Sequence, residues 1–99
     1  MAKYVFTHKA VEDISGIWNH TQETGSANQA DNYYQLVIDA CKELAKKPAI
    51  GKNYEQVSAD VYGFSAGKHI IFYRKRETKR IEIIRILNEQ MDLKSRIKE

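Results

Sequence analysis

The sequence predicts an α+β fold of two layers in the order β-α-α-β-β-β, a helical hairpin packed on a mainly antiparallel sheet. Three observations carry this. Two successive stretches repeat their apolar residues at spacings of three and four, with only a few residues between them, which makes an antiparallel pair of helices. Within residues 61–87, three short runs rich in β-branched and aromatic residues are parted by connectors too short for a parallel crossover. A further short run, Tyr4-Val5-Phe6, opens the chain as a first strand.

Thr7 is placed to cap the first helix, whose apolar positions are Val11, Ile14, Ile17 and Trp18. Glu12 and Asp13 sit early in it, where the helix dipole favours negative charge, and Gly25 marks its end. Ser26-Ala27-Asn28-Gln29 has the S-x-x-Q form of a capping box, so a second helix starts there. It continues through Ala30, Tyr33, Tyr34, Val37, Ala40, Cys41 and Leu44, collects Lys42, Lys46 and Lys47 towards its end, and stops at Pro48. Residues 49–60 read as a loop without pattern.

The three later strands are centred on Val61 to Ser65, His69 to Arg74 and Arg80 to Leu87. Strict alternation in the last puts Ile81, Ile83 and Leu87 on one side and Ile84 and Ile86 on the other, so both faces are apolar and the strand lies inside the sheet. Arg85 interrupts it. A guanidinium there either pairs within the fold or meets something outside the chain. Residues 88–99, with Met91, Leu93 and Ile97 among charges, predict a short final helix.

At 99 residues the chain is one domain, residues 1–99, and its 16 Lys and Arg against 13 Asp and Glu leave a net charge of +3. That mild excess suits RNA, DNA or an acidic protein. One cysteine, Cys41, excludes an internal disulfide and multi-cysteine metal sites, and fits a reducing compartment. With no apolar leader and no run of transmembrane length, the expectation is a soluble cytoplasmic protein without a membrane partner. His8, His20 and His69 lack ligand spacing, so neither a metal nor a cofactor is predicted. No glycine-rich phosphate loop, G-x-S-x-G elbow or local Cys-His signature supports a nucleotide-binding or hydrolase reading.

What remains is a basic set with aromatics interleaved: His69, Tyr73, Arg74, Lys75, Arg76, Lys79, Arg80 and Arg85, then Lys94, Arg96 and Lys98. It is either a solvated face or a surface for a nucleic-acid backbone. Tyr73, inside an apolar strand, reads as core, and His69, beside a turn, as a structural histidine or a general base.

Taken together, Ala10-x-x-Asp13 with Ile17-Trp18, Gln29-Ala30-x-x-Tyr33, Leu44-Ala45-x-x-Pro48-x-x-Gly51, the run from His69 to Arg74 and Arg85-Ile86-Leu87-Asn88-x-x-Met91-Asp92 carry a resemblance. In order and spacing, the chain resembles the RelE/ParE superfamily of bacterial toxins, and within it the ParE branch, over nearly its whole length. The resemblance implies the same β-α-α-β-β-β fold and a toxin neutralised by a cognate antitoxin, whose disordered C-terminal segment folds on binding and can build a toxin–antitoxin hetero-oligomer. ParE-like members act on DNA gyrase without cutting RNA, whereas RelE-like members cleave messenger RNA on the ribosome.

Asn88 stands where many relatives have His, and an amide exchanges no proton near neutral pH. The leading reading is therefore a non-enzymatic gyrase inhibitor. It has Arg74, Arg85, Asn88, Met91 and Asp92 at the target surface, and Trp18 and Tyr34 meeting the antitoxin. Two alternatives stand beside it: a RelE-like, ribosome-dependent endonuclease using His69, Arg74, Arg85 and Glu89, and a degenerate toxin that only binds its antitoxin.

Overall fold

The computed structural model describes residues 3–55, 59–76 and 80–90. The elements are β1 (Lys3–Phe6), α1 (His8–Thr24), α2 (Ala27–Lys46), a 3₁₀ turn (Pro48–Ile50), β2 (Lys52–Asn53), β3 (Tyr62–Ala66), β4 (His69–Lys75) and β5 (Arg80–Asn88). No helix among the described residues is long and apolar enough to cross a membrane.

Local chemistry sets the helix ends. Thr7 Oγ1 accepts the Ala10 N–H at 3.1 Å and donates to the Ile84 carbonyl at 2.9 Å, so one hydroxyl both caps α1 and ties it to β5. Ser26 Oγ accepts the Gln29 N–H at 3.1 Å and starts α2. α2 ends at Lys46, and Pro48 opens the 3₁₀ turn. Residues 49–60, expected as plain loop, thus hold most of that turn and the two-residue strand β2. Lys52 pairs there with Gly63, and Asn53 with Tyr62, a pairing too brief to leave a periodic trace in sequence.

The five strands lie in the order β1-β5-β4-β3-β2. Neighbours are antiparallel except β1 and β5, which run parallel with Lys3 beside Arg80 and Phe6 beside Ile83. β5 is flanked on both sides, as its apolar faces require. The β3–β4 hairpin turns on Gly67-Lys68, where Gly67 has φ +62, a left-handed conformation that costs glycine no steric penalty.

Both helices cover one face of the sheet. Ala10, Ile14, Val37, Cys41 and Leu44 pack there on Ile71, Tyr73, Ile81, Ile83 and Ile86. Val61, Ile70, Phe72, Ile84 and Leu87 form a second buried cluster, with Tyr54 against it. The partition of β5 differs from strict alternation, since Ile86 joins Ile81 and Ile83 while Leu87 joins Ile84. The cause is a β-bulge: Phe72 pairs with Arg85 but Tyr73 pairs with Ile83, so Ile84 is an extra residue and the faces exchange beyond it. The expected final helix falls largely on residues 91–99, outside the described residues.

Candidate functional site

α1 and the last half of β5 enclose a cleft of about 480 Å³. β1 ends its pairing at Ile83, so beyond that point α1, rather than another strand, lies beside β5. Asp13, Gly16, Ile17 and His20 of α1 form one wall, Arg85 to Asn88 the other, and His69 of β4 closes one end. An added Cβ at Gly16 would meet nothing within 4 Å, so the α1 wall is open at this point.

The cleft's cation is tied down. Arg85 Nε donates to Asp13 Oδ2 at 2.7 Å and its terminal nitrogen to Oδ1 at 3.0 Å, while the Ile86 N–H also donates to Oδ2 at 3.0 Å. The two side chains are 12% and 14% exposed. This answers the question raised by a guanidinium in an apolar strand: it is paired within the fold. Asp13, expected to serve the helix dipole, lies beyond the first turn of α1, because the helix begins at His8. Its carboxylate serves β5 instead, standing in for a neighbouring strand.

His69 is positioned from behind by α2. Tyr33 Oη lies 2.6 Å from His69 Nδ1, accepts the Lys68 N–H at 2.9 Å, and is 3.4 Å from the Ala66 carbonyl. The Tyr33 hydroxyl thus bridges the β3–β4 hairpin and the imidazole, with the His69 tautomer setting which of the two donates. Burial lowers the His69 pKa, against the opposing fields of Asp13 and Glu89, and the His20 charge adds to the lowering. The ring is therefore neutral at pH 7. Across the ladder His69 faces Asn88, whose Oδ1 accepts the Gln90 N–H at 2.9 Å and so shapes the turn that leaves the strand.

A model of the ParE toxin of type II toxin-antitoxin (parDE) systems matches residues 4–93. The chain belongs to the ParE toxin family. Toxin ParE1 of Mycobacterium tuberculosis H37Rv is 27% identical over 92 residues, covering 93% of this chain and 94% of that protein. Toxin ParE1 of Caulobacter vibrioides is 27% identical over 97 residues, covering 98% and 99%. A solved structure, the chromosomal ParDE toxin–antitoxin system from Pseudomonas aeruginosa ("P. aeruginosa"), superposes with a TM-score of 0.75 at 21% identity, covering 89% of this chain and 95% of that one. That likeness establishes the shared fold.

In this ParE-family chain α1 separates two depressions. The second is a crevice of about 350 Å³ between α1 and α2, lined by Ile14, Ser15, Trp18, Asn19, Asp31 and Tyr34. Trp18 Nε1 donates to Asp31 at 2.9 Å, and Tyr34 is 41% exposed. Trp18 and Tyr34, singled out together in the sequence, thus line one surface.

The other singled-out residues divide. Arg85, Asn88 and His69 gather at the cleft, and the exposed Glu89 follows, its N–H bonded to the Lys68 carbonyl at 3.1 Å. Arg74 does not join them. Antiparallel pairing puts it opposite Glu82, towards the far end of β5, with its Nε 3.1 Å from Asp60 Oδ2. Met91 and Asp92 lie outside the described residues. Asp13, Gly16, His20 and Tyr33 were not assigned to a site by sequence reasoning. Asp13 did carry a signal, since a carboxylate three residues after Ala10 and four before Ile17 sits beside the helix's buried stripe. For Gly16, His20 and Tyr33 no local pattern gives one.

Proposed function

We propose that this ParE-family toxin acts by binding DNA gyrase and so blocking replication, without cutting RNA, and that a cognate antitoxin neutralises it. The supporting observation is the state of the cations that RNA cleavage would use: the guanidinium near His69 and Glu89 is already held by Asp13, and Arg74 stands apart from them. His69 and Glu89 lie at the β3–β4 turn, Arg85 is neutralised in place by Asp13, and Arg74 stands towards the opposite end of the sheet with Asp60. An endonuclease needs a base, a leaving-group acid and cations converging on one phosphate. A binding surface needs no such convergence.

On this reading the cleft and the β5 end, with Arg85, Asn88 and the neighbouring Met91 and Asp92, form the gyrase-binding surface, to which Arg74 contributes from the far end. The α1–α2 crevice takes the antitoxin: Ile14, Trp18 and Tyr34 give it apolar wall, and the Asp31 carboxylate, which already accepts from Trp18, suits a basic residue on the incoming segment.

Purified protein added to a gyrase supercoiling reaction is expected to inhibit it, while primer extension on translated messages shows no new ends. Codon-phased cleavage with normal supercoiling would establish the endonuclease instead. Absence of both, with antitoxin binding retained, would establish a degenerate toxin. For the crevice, Tyr34→Ala should weaken antitoxin binding while leaving the thermal midpoint within a few degrees; a folded variant that binds undiminished places the antitoxin elsewhere.

A further inference from the structure

At the end of the sheet away from the cleft the chain places, on its two faces, cations that no ion pair among the described residues holds. Lys3 and Arg80 are direct partners across the parallel β1–β5 ladder. Lys75 ends β4 opposite Ile81, on the helix-covered face rather than the face of Lys3 and Arg80, with its ammonium 4.5 Å from the centre of the Tyr62 ring. Lys46 closes α2 two residues before Pro48, whose carbonyl accepts the hydroxyl proton of Tyr73 in β4 at 2.6 Å. All four cations are exposed.

Among the described residues, three carboxylates of this region are engaged by other partners. Glu82 takes Arg76 at 2.9 Å, Glu43 takes Lys47 at 3.8 Å and Asp60 takes Arg74. Among the described residues no ion pair holds Lys3, Lys46, Lys75 or Arg80. Like charges set directly opposite each other across a ladder destabilise a sheet. The Lys3–Arg80 pair is therefore a cost to folding that a bound polyanion would remove.

We infer that this pole, built on Lys3, Lys46, Lys75 and Arg80, binds the phosphate backbone of a nucleic acid without reading its sequence. Three of the four are lysines, point charges on flexible stems rather than planar forks. They suit a strip of regularly spaced phosphates better than individual carboxylates on a protein. Such point charges hold phosphates without reading base edges, so the contact is electrostatic and falls with salt. The inference rests on the layout of charge in this chain and stands or falls apart from the gyrase reading.

The test is fluorescence anisotropy with a labelled 20-base-pair DNA duplex and, separately, a single-stranded RNA of equal length, over a salt series. Binding to the duplex should weaken with a slope of log K against log salt of about −3 to −4, as expected when four phosphates are neutralised. Lys75→Glu/Arg80→Glu should lose at least tenfold in affinity, and Lys75→Gln/Arg80→Gln an intermediate amount. Lys9→Glu/Lys68→Glu, with the same change of net charge elsewhere, should lose far less. Arg80→Glu alone places an acid opposite Lys3, so its thermal midpoint should hold or rise while its affinity falls. Equal losses in both double-Glu variants would overturn the inference, as would an acidic peptide binding where neither nucleic acid does. Which of duplex and single strand binds more tightly identifies the source of the phosphate.

Discussion

Arg85 and Asp13, seventy-two residues apart in sequence, meet in a two-point ion pair of 2.7 and 3.0 Å, and the same carboxylate accepts the Ile86 N–H. Because both side chains are largely buried, removing either strands the other charge. Arg85→Ala and Asp13→Asn should each lower stability by about 2 to 4 kcal/mol, a figure for breaking a mostly buried pair. Arg85→Lys should recover little, since an ammonium cannot make the paired geometry. A double-mutant cycle read by urea denaturation checks this. Additive losses would mean that the pair does not act as a unit.

The burial of His69 predicts a pH dependence. The folded pKa of His69 lies below its ordinary 6.5, so the unfolded chain binds the proton more readily than the folded one. The stability associated with neutral His69 is thus complete above about pH 6.5 and is lost as pH falls through that value towards the lowered folded pKa. His69→Asn, which offers Tyr33 an amide partner but does not titrate, should flatten the fall in thermal midpoint between pH 7.5 and pH 5. An unchanged profile would assign the dependence to other groups.

Cys41 is fully buried, and burial pushes its thiol up to about 12. Thiolate is then scarce at pH 8 and a reagent has no approach. Ellman's reagent should leave the native protein unlabelled for hours and label it within minutes in denaturing guanidinium. Rapid labelling of the native protein would mean that α2 opens locally.

Arg74 is exposed at 41% and pairs with a well-exposed Asp60, so its contribution to stability is small. Arg74→Ala should shift the thermal midpoint by no more than a degree or two and leave antitoxin binding intact while lowering toxicity on induced expression. Full toxicity would remove Arg74 from the target surface.

Much of this fold can be read along the chain because its determinants are local. The cap at Thr7, the Ser26 start of α2, the Pro48 stop and the two helical periods all act within a few residues. What escaped sequence reading depends on distant partners. The bulge at Ile84 exists only in the pairing with β4, and β2 only in its pairing with β3. Arg85 could be flagged as needing a partner, but Asp13 answers it only once α1 is laid beside β5. Tyr33, read as one more member of an apolar helical face, turns its hydroxyl on the β3–β4 hairpin and His69. The crevice was more accessible, since Trp18 and Tyr34 flank a short interhelical connection.

The parallel pairing of Lys3–Phe6 with Arg80–Ile83 also sets a timetable. During synthesis the first strand has no neighbour until the ribosome has added almost eighty more residues. The helical hairpin, made of contacts close in sequence, can form meanwhile, whereas the sheet must wait to close so long a loop. Because the α1–β5 cleft uses the last of these strands, a nascent chain halted before Arg85 lacks it altogether. The α1–α2 crevice is encoded ahead of all the later strands and can exist earlier. If each surface does what is proposed for it, the means of restraint is exposed before the means of harm.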